Sequence, residues 1–368
     1  MVRQLRRLRF MALVLVLGMA IPACGGEGAS DGMVGGTPTT GQGGADTGTA
    51  PTNLQVLFPI NSPILHGYRV AEQAGYYEEE GIDVQFDFLD GGGEVVTQLL
   101  AGNGDIANIP VGPVVEAIEE GHTDLRAIWN YVYGSIFYLG VPVDSDIQSA
   151  EDLEGRSIGV SDLSGGEVPI MRGIVETAGL DPDSDVDFVP IGEGTALSLR
   201  ALQEGEVDAF GGSVNDMIAL EVQGMELRYI QPDVLLELPA SGLVVNAAIL
   251  EEQRAAIEGF LRASTKGFYW GQVNPEASMC VLREVTPEQF TDETGERILT
   301  AVLPITWAPE GELMGHQSAD TWRTFFEFIG AELPDVDLEN IVIDDLLEAA
   351  NDFDRDAVEQ DANSQADC

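Results

Sequence analysis

The sequence predicts an α/β fold made of two similar lobes. Short apolar strands alternate with helical segments from Asn53 onwards, which is the pattern of a sheet with crossover helices. A short pattern also occurs twice, because LLAGNGD at 99–105 returns as LQEGEVD at 202–208. In both copies a helix ends at a glycine and an aspartate opens a short strand. Two α/β lobes that carry this element in the same place explain the repetition.

The first 24 residues, MVRQLRRLRFMALVLVLGMAIPAC, have the layout of an export signal. An arginine-rich start precedes the apolar run Phe10–Ile21, which suits a signal peptide and is too short to span a bilayer. The segment Ile21-Pro22-Ala23-Cys24 resembles a bacterial lipobox, which implies cleavage before the cysteine and a lipid on its thiol. We predict a lipoprotein signal peptide at 1–23 and lipidation (palmitate) of Cys24. An ordinary secretory signal that contains a cysteine is the alternative.

Residues 24–52 form a stretch of glycine, threonine, serine and alanine with almost no bulky side chains. Such a segment cannot bury enough apolar surface to fold, so it is predicted to be a flexible tether. No later apolar run reaches the length of about 18 residues that a membrane span needs. The expected location is therefore the extracytoplasmic face of the cell membrane, in a periplasm or at the cell surface, held by the lipid alone.

The formal net charge of −46 with Lys266 as the only lysine excludes nucleic acid as a partner. Acidity of this kind is typical of a salt-tolerant or halophilic source, and a functional role for it is the alternative. Cys280 and Cys368 could form a disulfide outside the cytoplasm or remain as two thiols. The histidines are scattered and no Cys-x-x-Cys occurs, so we expect no metal and no cofactor. We also expect the protein to be a monomer.

Strands and helices follow in a consistent order. A strand at 54–60 leads into a helix that stops near Gly75, and residues 81–88 alternate as a half-buried strand. A glycine loop, a helix at 94–100 and a short strand at 105–109 come next. Further on, a turn at 151–155 feeds a strand that ends near Val160, and a helix begins near Val168.

Ligands of open α/β sheets bind beyond the carboxyl ends of the strands, and this rule selects the loops to consider. The loop at 164–166 could offer free backbone N–H groups to a carboxylate, sulfonate or carbonyl at a helix start, or it could be a plain turn. Trp129, Tyr131 and Tyr133 share one side of a strand and could stack on a flat ligand or pack within the sheet. The predicted ligand-binding residues are Asn61, Ser62, His66, Gly92, Gly93, Pro110, Val111, Trp129, Tyr131, Ser164, Gly165, Gly166, Thr195, Ser213 and Asn215.

The segment YRVAEQAGYYEEEGIDV at 68–84 resembles the opening motif of one superfamily of ABC importer binding proteins. The elements at 102–107, 151–160 and 205–210 match its later landmarks in order. This NMT1-like and SsuA-like superfamily binds sulfonates, nitrate, taurine, thiamine-pyrimidine precursors and riboflavin. The resemblance implies a type II periplasmic-binding-protein fold with mixed sheets, helices on both faces and two hinge crossings, expected at 136–141 and 241–246. Lobe one is then 53–142 plus 241–340, lobe two is 143–240, and 341–368 is an acidic tail that is helical through 343–350.

The same resemblance implies a substrate-binding component that delivers a small solute to an ABC permease and its ATPase. The solute is either a sulfonate-, taurine- or nitrate-like anion or a pyrimidine- or flavin-like heterocycle. The aromatic run favours an uncharged or aromatic ligand, and none of five arginines falls on a predicted cleft loop: Arg69, Arg126, Arg156, Arg172 and Arg200.

Two other functions compete with import. A lipoprotein of this kind could present its ligand to a sensor or receptor. Enzymes similar to this superfamily make the thiamine pyrimidine with a histidine, a lysine and a cysteine-rich iron motif. Here Lys266 lies in a predicted C-terminal helix and the cysteines do not cluster, so we predict that the chain is not an enzyme.

Overall fold

The computed structural model describes residues 51–333 and 335–365. The predicted signal peptide, Cys24, nearly all of the tether and Cys368 lie outside the described residues. Within those two ranges no helix is long and apolar enough to cross a membrane. The same residues contain no group of three or more histidine, cysteine or acidic side chains placed to hold a metal ion.

The first of two five-stranded sheets has the order β2-β1-β3-β10-β4. Strands β1, β2 and β3 are parallel, and β10 runs antiparallel to its neighbours β3 and β4. The strands of this sheet are β1 (Thr52–Phe58), β2 (Ile82–Phe88), β3 (Ile106–Pro110), β4 (Leu125–Tyr133) and β10 (Pro239–Asn246).

The second sheet repeats this plan with the order β7-β6-β8-β5-β9. Its three parallel strands stand where β2, β1 and β3 stand in the first sheet, and β5 is the antiparallel counterpart of β10. The strands are β5 (Phe137–Pro142), β6 (Arg156–Val160), β7 (Val186–Pro190), β8 (Ala209–Ser213) and β9 (Leu227–Ile230). The predicted class of two mixed sheets in a periplasmic-binding-protein fold is confirmed.

Helices cover both faces of the sheets. They are α1 (His66–Gln73), α2 (Tyr76–Glu79), α3 (Gly92–Leu100), α4 (Val111–Glu119), α5 (Glu167–Thr177), α6 (Ala196–Glu204), α7 (Val214–Val222), α8 (Ala247–Val273), α9 (Pro275–Val285), α10 (Thr294–Val302), α11 (Ala319–Phe328), α12 (Leu347–Asn351) and α13 (Arg355–Ser364). The long helix α8 packs closely on α1, where a Cβ atom on Gly267 would overlap the carbonyl oxygen of Gly67. A larger residue at this position would separate the two helices.

The repeated sequence pattern has the same physical role in each lobe. The Asp105 carboxylate accepts a hydrogen bond from the Gln55 N–H (2.8 Å), and the Asp105 N–H donates to the Gln55 carbonyl (2.9 Å). Asp208 makes the same pair of contacts with Ser157, at 2.9 Å each. The aspartate therefore aligns the start of the third parallel strand with the first one in both sheets.

The chain crosses between the lobes earlier than the sequence analysis expected. The first crossing is the short segment 134–136 between β4 and β5, and the second is 231–238 between β9 and β10. Strand β5, which was assigned to lobe one, pairs with β8 and β9 in the second sheet. The predicted crossing strands are therefore the first strands after each crossing, and β10 belongs to the first sheet.

The C-terminal segment is part of the first lobe rather than a separate tail. Ala127 of β4 exchanges backbone hydrogen bonds with Ile341 (2.8 Å) and Ile343 (3.0 Å). The helix found here is α12, which begins at Leu347, and α13 buries Val358 and Ala362. Cys280, buried in α9, is disulfide-bonded. Its pairing with Cys368 remains a prediction because Cys368 lies outside the described residues.

His66, predicted as a ligand residue, is instead a core residue at the start of α1. Its Nε2 atom lies 3.0 Å from the Thr306 hydroxyl, and its ring meets Phe268 edge-on at 4.9 Å. The ring is fully buried, and this desolvation lowers the pKa of His66 to about 3. The folded protein therefore holds this imidazole neutral through the pH range in which an exposed histidine titrates.

We expect His66 to make the fold acid-sensitive below pH 6.5. The unfolded chain takes up a proton on His66 near pH 6.5 and the folded chain does not, so stability falls by up to about 1.4 kcal/mol per pH unit between 6.5 and the lowered pKa. Between pH 7.5 and 5.0 at constant salt, His66→Gln should lose about 2 kcal/mol less unfolding free energy than wild type in urea melts. His122→Gln, on a partly exposed loop, is the control. Equal pH dependence of His66→Gln and wild type would contradict this account.

Candidate functional site

A cavity of about 110 Å³ lies between the two lobes at the carboxyl ends of their parallel strands. It is where the sheet rule places a ligand. Its size is below that of sites for drug-sized molecules. The cavity is lined by Pro59, Ile60, Ile64, Gly91, Gly92, Asn108, Pro110, Tyr131, Ile136 and Ser241 from the first lobe and hinge, and by Phe137, Ser161, Gly165, Gly166, Glu167, Glu193, Ser213, Asn215 and Asp216 from the second.

About half of the residues predicted from the sequence meet in this cavity: Gly92, Pro110, Tyr131, Gly165, Gly166, Ser213 and Asn215. Others surround it without lining it: Asn61, Ser62, Gly93, Val111, Ser164 and Thr195. His66 and Trp129 lie in the core instead. The rings of Trp129 and Tyr131 are nearly parallel with centroids 6.3 Å apart, and of the two only Tyr131 borders the cavity.

The two lobes meet around the cavity at small residues. The Ser62 hydroxyl donates to the Asn215 side-chain oxygen across the cleft (2.9 Å). A Cβ atom on Gly166 would lie 3.2 Å from Cβ of Pro110 on the opposite lobe. Further out, Arg297 of α10 pairs with Glu221 of α7 at 2.5 Å. The structure is thus a closed form in which glycine permits the close approach of the lobes.

In the loop at 164–166, Ser164 and Gly165 do not offer the free donors that the sequence suggested. The Ser164 N–H donates to the Asp162 carboxylate (2.8 Å), and the Gly165 N–H donates to the Asp162 carbonyl (3.0 Å). Glu167 occupies the first turn of α5. The positive end of this helix is therefore compensated by the protein's own carboxylates.

Three carboxylates face the cavity from the second lobe. Glu167 is only 4% exposed and accepts hydrogen bonds from the N–H (2.8 Å) and the hydroxyl of Ser161. Burial raises the pKa of Glu167, and the hydrogen bonds from Ser161 lower it by less. Asp216 accepts from the N–H groups of Gly194 and Ser213, both at 2.7 Å. Burial, followed by the charges of Asp216 and Asp90, raises the pKa of Glu193.

No arginine or lysine is among the described residues that line the cavity. The five arginines considered from the sequence are all engaged elsewhere. Four of them pair with acidic side chains: Arg69 with Glu72, Arg156 with Asp146 and Asp208, Arg172 with Asp183, and Arg200 with Glu204. The fifth, Arg126, donates to the carbonyl oxygens of Thr123 and Leu125. The described lining of the cavity therefore holds carboxyl groups and no cationic side chain that could pair with an anion.

Among the first-lobe residues that line the cavity, Asn108 has a side-chain donor without a partner. Its Oδ1 atom accepts from the hydroxyls of Tyr131 (3.4 Å) and Ser241 (3.3 Å). Its side chain is 1% exposed, and its Nδ2 atom has no partner within the described part of the chain. A buried amide donor without a partner destabilises the fold unless a ligand or water accepts from it. The Asn108 amide thus points to a ligand with an acceptor atom.

Apolar and aromatic surface completes the cavity. Tyr131 from β4 and Phe137 from β5 approach it from opposite sides of the first crossing, together with Ile60, Ile64 and Ile136. Burial raises the pKa of Tyr131 to about 12 in spite of its hydrogen-bonding contacts with Asn108 and Ser241, so this hydroxyl stays protonated. A flat ring fits between such walls.

Three residues that line the cavity were not predicted from the sequence as ligand residues: Asn108, Glu167 and Ser241. Asn108 lies in the otherwise apolar strand IANIP, and Ser241 opens the apolar run of β10. A polar residue inside a buried strand is the signal that could have identified both. Glu167 looked like an ordinary acidic residue in the first turn of a helix, and only the packed structure shows that it is buried.

Comparison with known proteins places the chain in a family. Residues 62–278 match the family model described as NMT1/THI5 like. The chain is 26% identical over 269 residues to the formylaminopyrimidine-binding protein of Halalkalibacterium halodurans, covering 71% of this chain and 79% of that protein. It is 24% identical over 347 residues to the riboflavin-binding protein RibY of Chloroflexus aurantiacus, covering 88% and 93%.

Solved structures share the fold. The aliphatic sulphonate binding protein SsuA of Escherichia coli superposes with a TM-score of 0.61 at 18% identity, over 76% of this chain and 91% of that one. The nitrate-binding protein NrtA of Synechocystis superposes with a TM-score of 0.62 at 15% identity, over 86% and 99%. The desulfurization enzyme DSZB also has this fold, with a TM-score of 0.54 at 17% identity over 81% and 98%. The family match extends over more than half of the sequence, from the first-lobe helix α1 to α9, and the chain belongs to the NMT1/THI5-like family.

Proposed function

We propose that this protein is the extracytoplasmic substrate-binding component of an ABC importer. The observation that carries the proposal is a closed cleft between two lobes in which the buried Asn108 amide lacks an acceptor. Two relatives across most of the chain are named as binding proteins for small molecules. Closure around a solute removes water from the cleft and produces the shape that a permease recognises, so binding and delivery are coupled through a shift between open and closed populations.

The ligand that suits this cavity is a neutral or positively charged single-ring heterocycle. Glu167, Glu193 and Asp216 would repel a sulfonate or nitrate, and the cavity has no cation to compensate them among the described residues. The Asn108 amide requires an acceptor on the ligand, and carboxylates accept from ligand N–H groups. A ring that carries both acceptor nitrogens and amino groups meets these demands, and Tyr131 supplies a face for it.

Binding is favoured over catalysis by the positions of the reactive residues. His66 is enclosed in the core, and Lys266 pairs with Glu79 at 2.9 Å on α2, away from the cleft. Neither side chain lines the cavity. An enzyme similar to thiamine-pyrimidine synthases would depend on a histidine and a lysine in the cleft. Here His66 is packed in the core and Lys266 pairs with Glu79.

A thermal-shift series tests the ligand class. Aminopyrimidines should raise the melting temperature of the mature protein, because a ligand at 100 times its dissociation constant adds about 2.7 kcal/mol of stability. Taurine, alkanesulfonates and nitrate should leave it unchanged at equal ionic strength, and riboflavin should have little effect because the cavity is small. Stabilisation by taurine or nitrate, with none by any pyrimidine, would contradict the proposed ligand class.

Asn108→Leu should weaken binding of the stabilising pyrimidine at least tenfold, as expected for loss of one buried hydrogen bond. Its unliganded melting temperature should fall by several degrees, because the buried hydroxyls of Tyr131 and Ser241 lose their acceptor, so affinities are compared at a temperature where both proteins are folded. Calorimetric titration measures the affinity. Asn103→Leu, an exposed asparagine after α3, is the matched control and should bind normally. Wild-type affinity in Asn108→Leu would remove Asn108 from the site.

We also propose that Cys24 carries the lipid that anchors the protein, on the basis of the apolar run and the glycine-rich tether that flank it. The Cys24→Ser variant should appear in the soluble fraction rather than in washed membranes, because residue 24 then has no thiol to carry acyl chains. Fractionation followed by immunoblotting measures this. Continued recovery of Cys24→Ser in the detergent phase would show that another feature holds the protein at the membrane.

A further inference from the structure

A second cavity, of about 280 Å³, lies against the hinge. Its walls include Gly134 of the first crossing, 236–238 of the second crossing and the segment around Gln317. Asn130 lines this cavity, whereas its neighbour Tyr131 lines the ligand cleft. Because successive side chains of a strand point to opposite faces, the hinge cavity lies on the other face of the first sheet.

Gln317 is a buried donor directed at this cavity. Gln317 is only 7% exposed. Its Oε1 atom accepts a hydrogen bond from the indole Nε1 of Trp322 at 3.3 Å. An indole N–H is a donor only, so the accepting atom must be the amide oxygen and the orientation of the amide is determined. The Nε2 atom then has no hydrogen-bond partner among the residues that the structure describes. Such a group is a position for a ligand acceptor.

Asn130 provides a second amide in the same wall. Its backbone is fully engaged, since its N–H donates to the Gly315 carbonyl (3.0 Å) and its carbonyl accepts from the Tyr133 hydroxyl (3.2 Å). Asn130 is 4% exposed and lines the cavity. A side-chain amide can both donate and accept, so Asn130 beside the unpartnered Nε2 donor of Gln317 matches a ligand group that does both, as another amide does.

The rim of the hinge cavity is acidic. Glu237 and Glu312 are exposed at its edge, and Glu312 lies 3.6 Å from the ring of His316. These carboxylates attract a cationic group and repel an anionic one. We propose that the hinge cavity is a second ligand site, separate from the cleft, for small amides that carry an ammonium group, such as amino-acid amides. A ligand held there lies against both segments about which the lobes move.

Glycinamide is the simplest probe of this chemistry, and it can be titrated calorimetrically into the mature protein at pH 7. Glycinamide should bind saturably, acetamide more weakly, and acetate not at all. Gln317→Met keeps the length of the side chain but removes the donor, and it should weaken glycinamide binding at least tenfold. Gln223→Met, a surface glutamine of the second lobe, is the matched control and should leave it unchanged.

Absence of saturable glycinamide binding, or wild-type affinity in a folded Gln317→Met variant, would overturn the proposal. If circular dichroism shows that Gln317→Met is unfolded, Glu312→Gln is the variant that tests the site, because this exposed residue can change without loss of the fold. Glu312→Gln should weaken glycinamide binding two- to fivefold at low salt, and an unchanged affinity would overturn the site. None of these outcomes depends on which solute the cleft binds.

Discussion

Within residues 51–333 and 335–365 the backbone passes between the two lobes twice, at 134–136 and at 231–238, and the position of the binding site follows from this constraint. Each crossing leads into an antiparallel strand, β5 in one sheet and β10 in the other, that lies next to the third parallel strand. The carboxyl ends of both parallel sets consequently face each other. Side chains from those ends can meet only when the lobes close, as Ser62 and Asn215 do.

The charge of the chain and the charge of the cleft have different physical meanings. Most of the acidic residues behind the net charge of −46 are surface groups, which keep such a protein soluble. In the cleft, Glu167 and Asp216 are held by backbone and hydroxyl donors at the start of α5 and at the cap of α7. They compensate the helix ends that an anionic ligand would otherwise use. In the proposed binding mode, amide and carboxylate groups beside an aromatic wall select the solute.

Much of the fold could be predicted from the sequence because its determinants are local. Strand and helix periods, glycine stops and the paired aspartates at 105 and 208 each act through neighbouring residues, and they identified both lobes. The loops at Gly92, Pro110 and Ser213 were also identified, because the carboxyl ends of parallel strands depend only on strand order.

The side chains that define the chemistry depend on tertiary packing instead. Asn108 and Glu167 acquire their roles through burial, which no local pattern encodes. His66 follows a predicted cleft loop, but it is already the first residue of α1 and turns towards α8. Trp129 and Tyr131 lie on the same side of β4 and both contact Phe268 of α8, yet the cleft borders only Tyr131. The predicted crossings lie later in the chain than the observed ones, because the sequence of β5 is compatible with a strand of either sheet.

The central claim is that the lobes close on a neutral or cationic heterocycle held by the Asn108 amide. A crystal structure of the protein purified with its natural solute tests this most directly. The account predicts a ring beside Tyr131 with an acceptor atom within hydrogen-bonding distance of Asn108 Nδ2 and a donor group near Glu167. A sulfonate, nitrate or carboxylate bound at the start of α5, with the Asn108 amide still unpartnered, would contradict it.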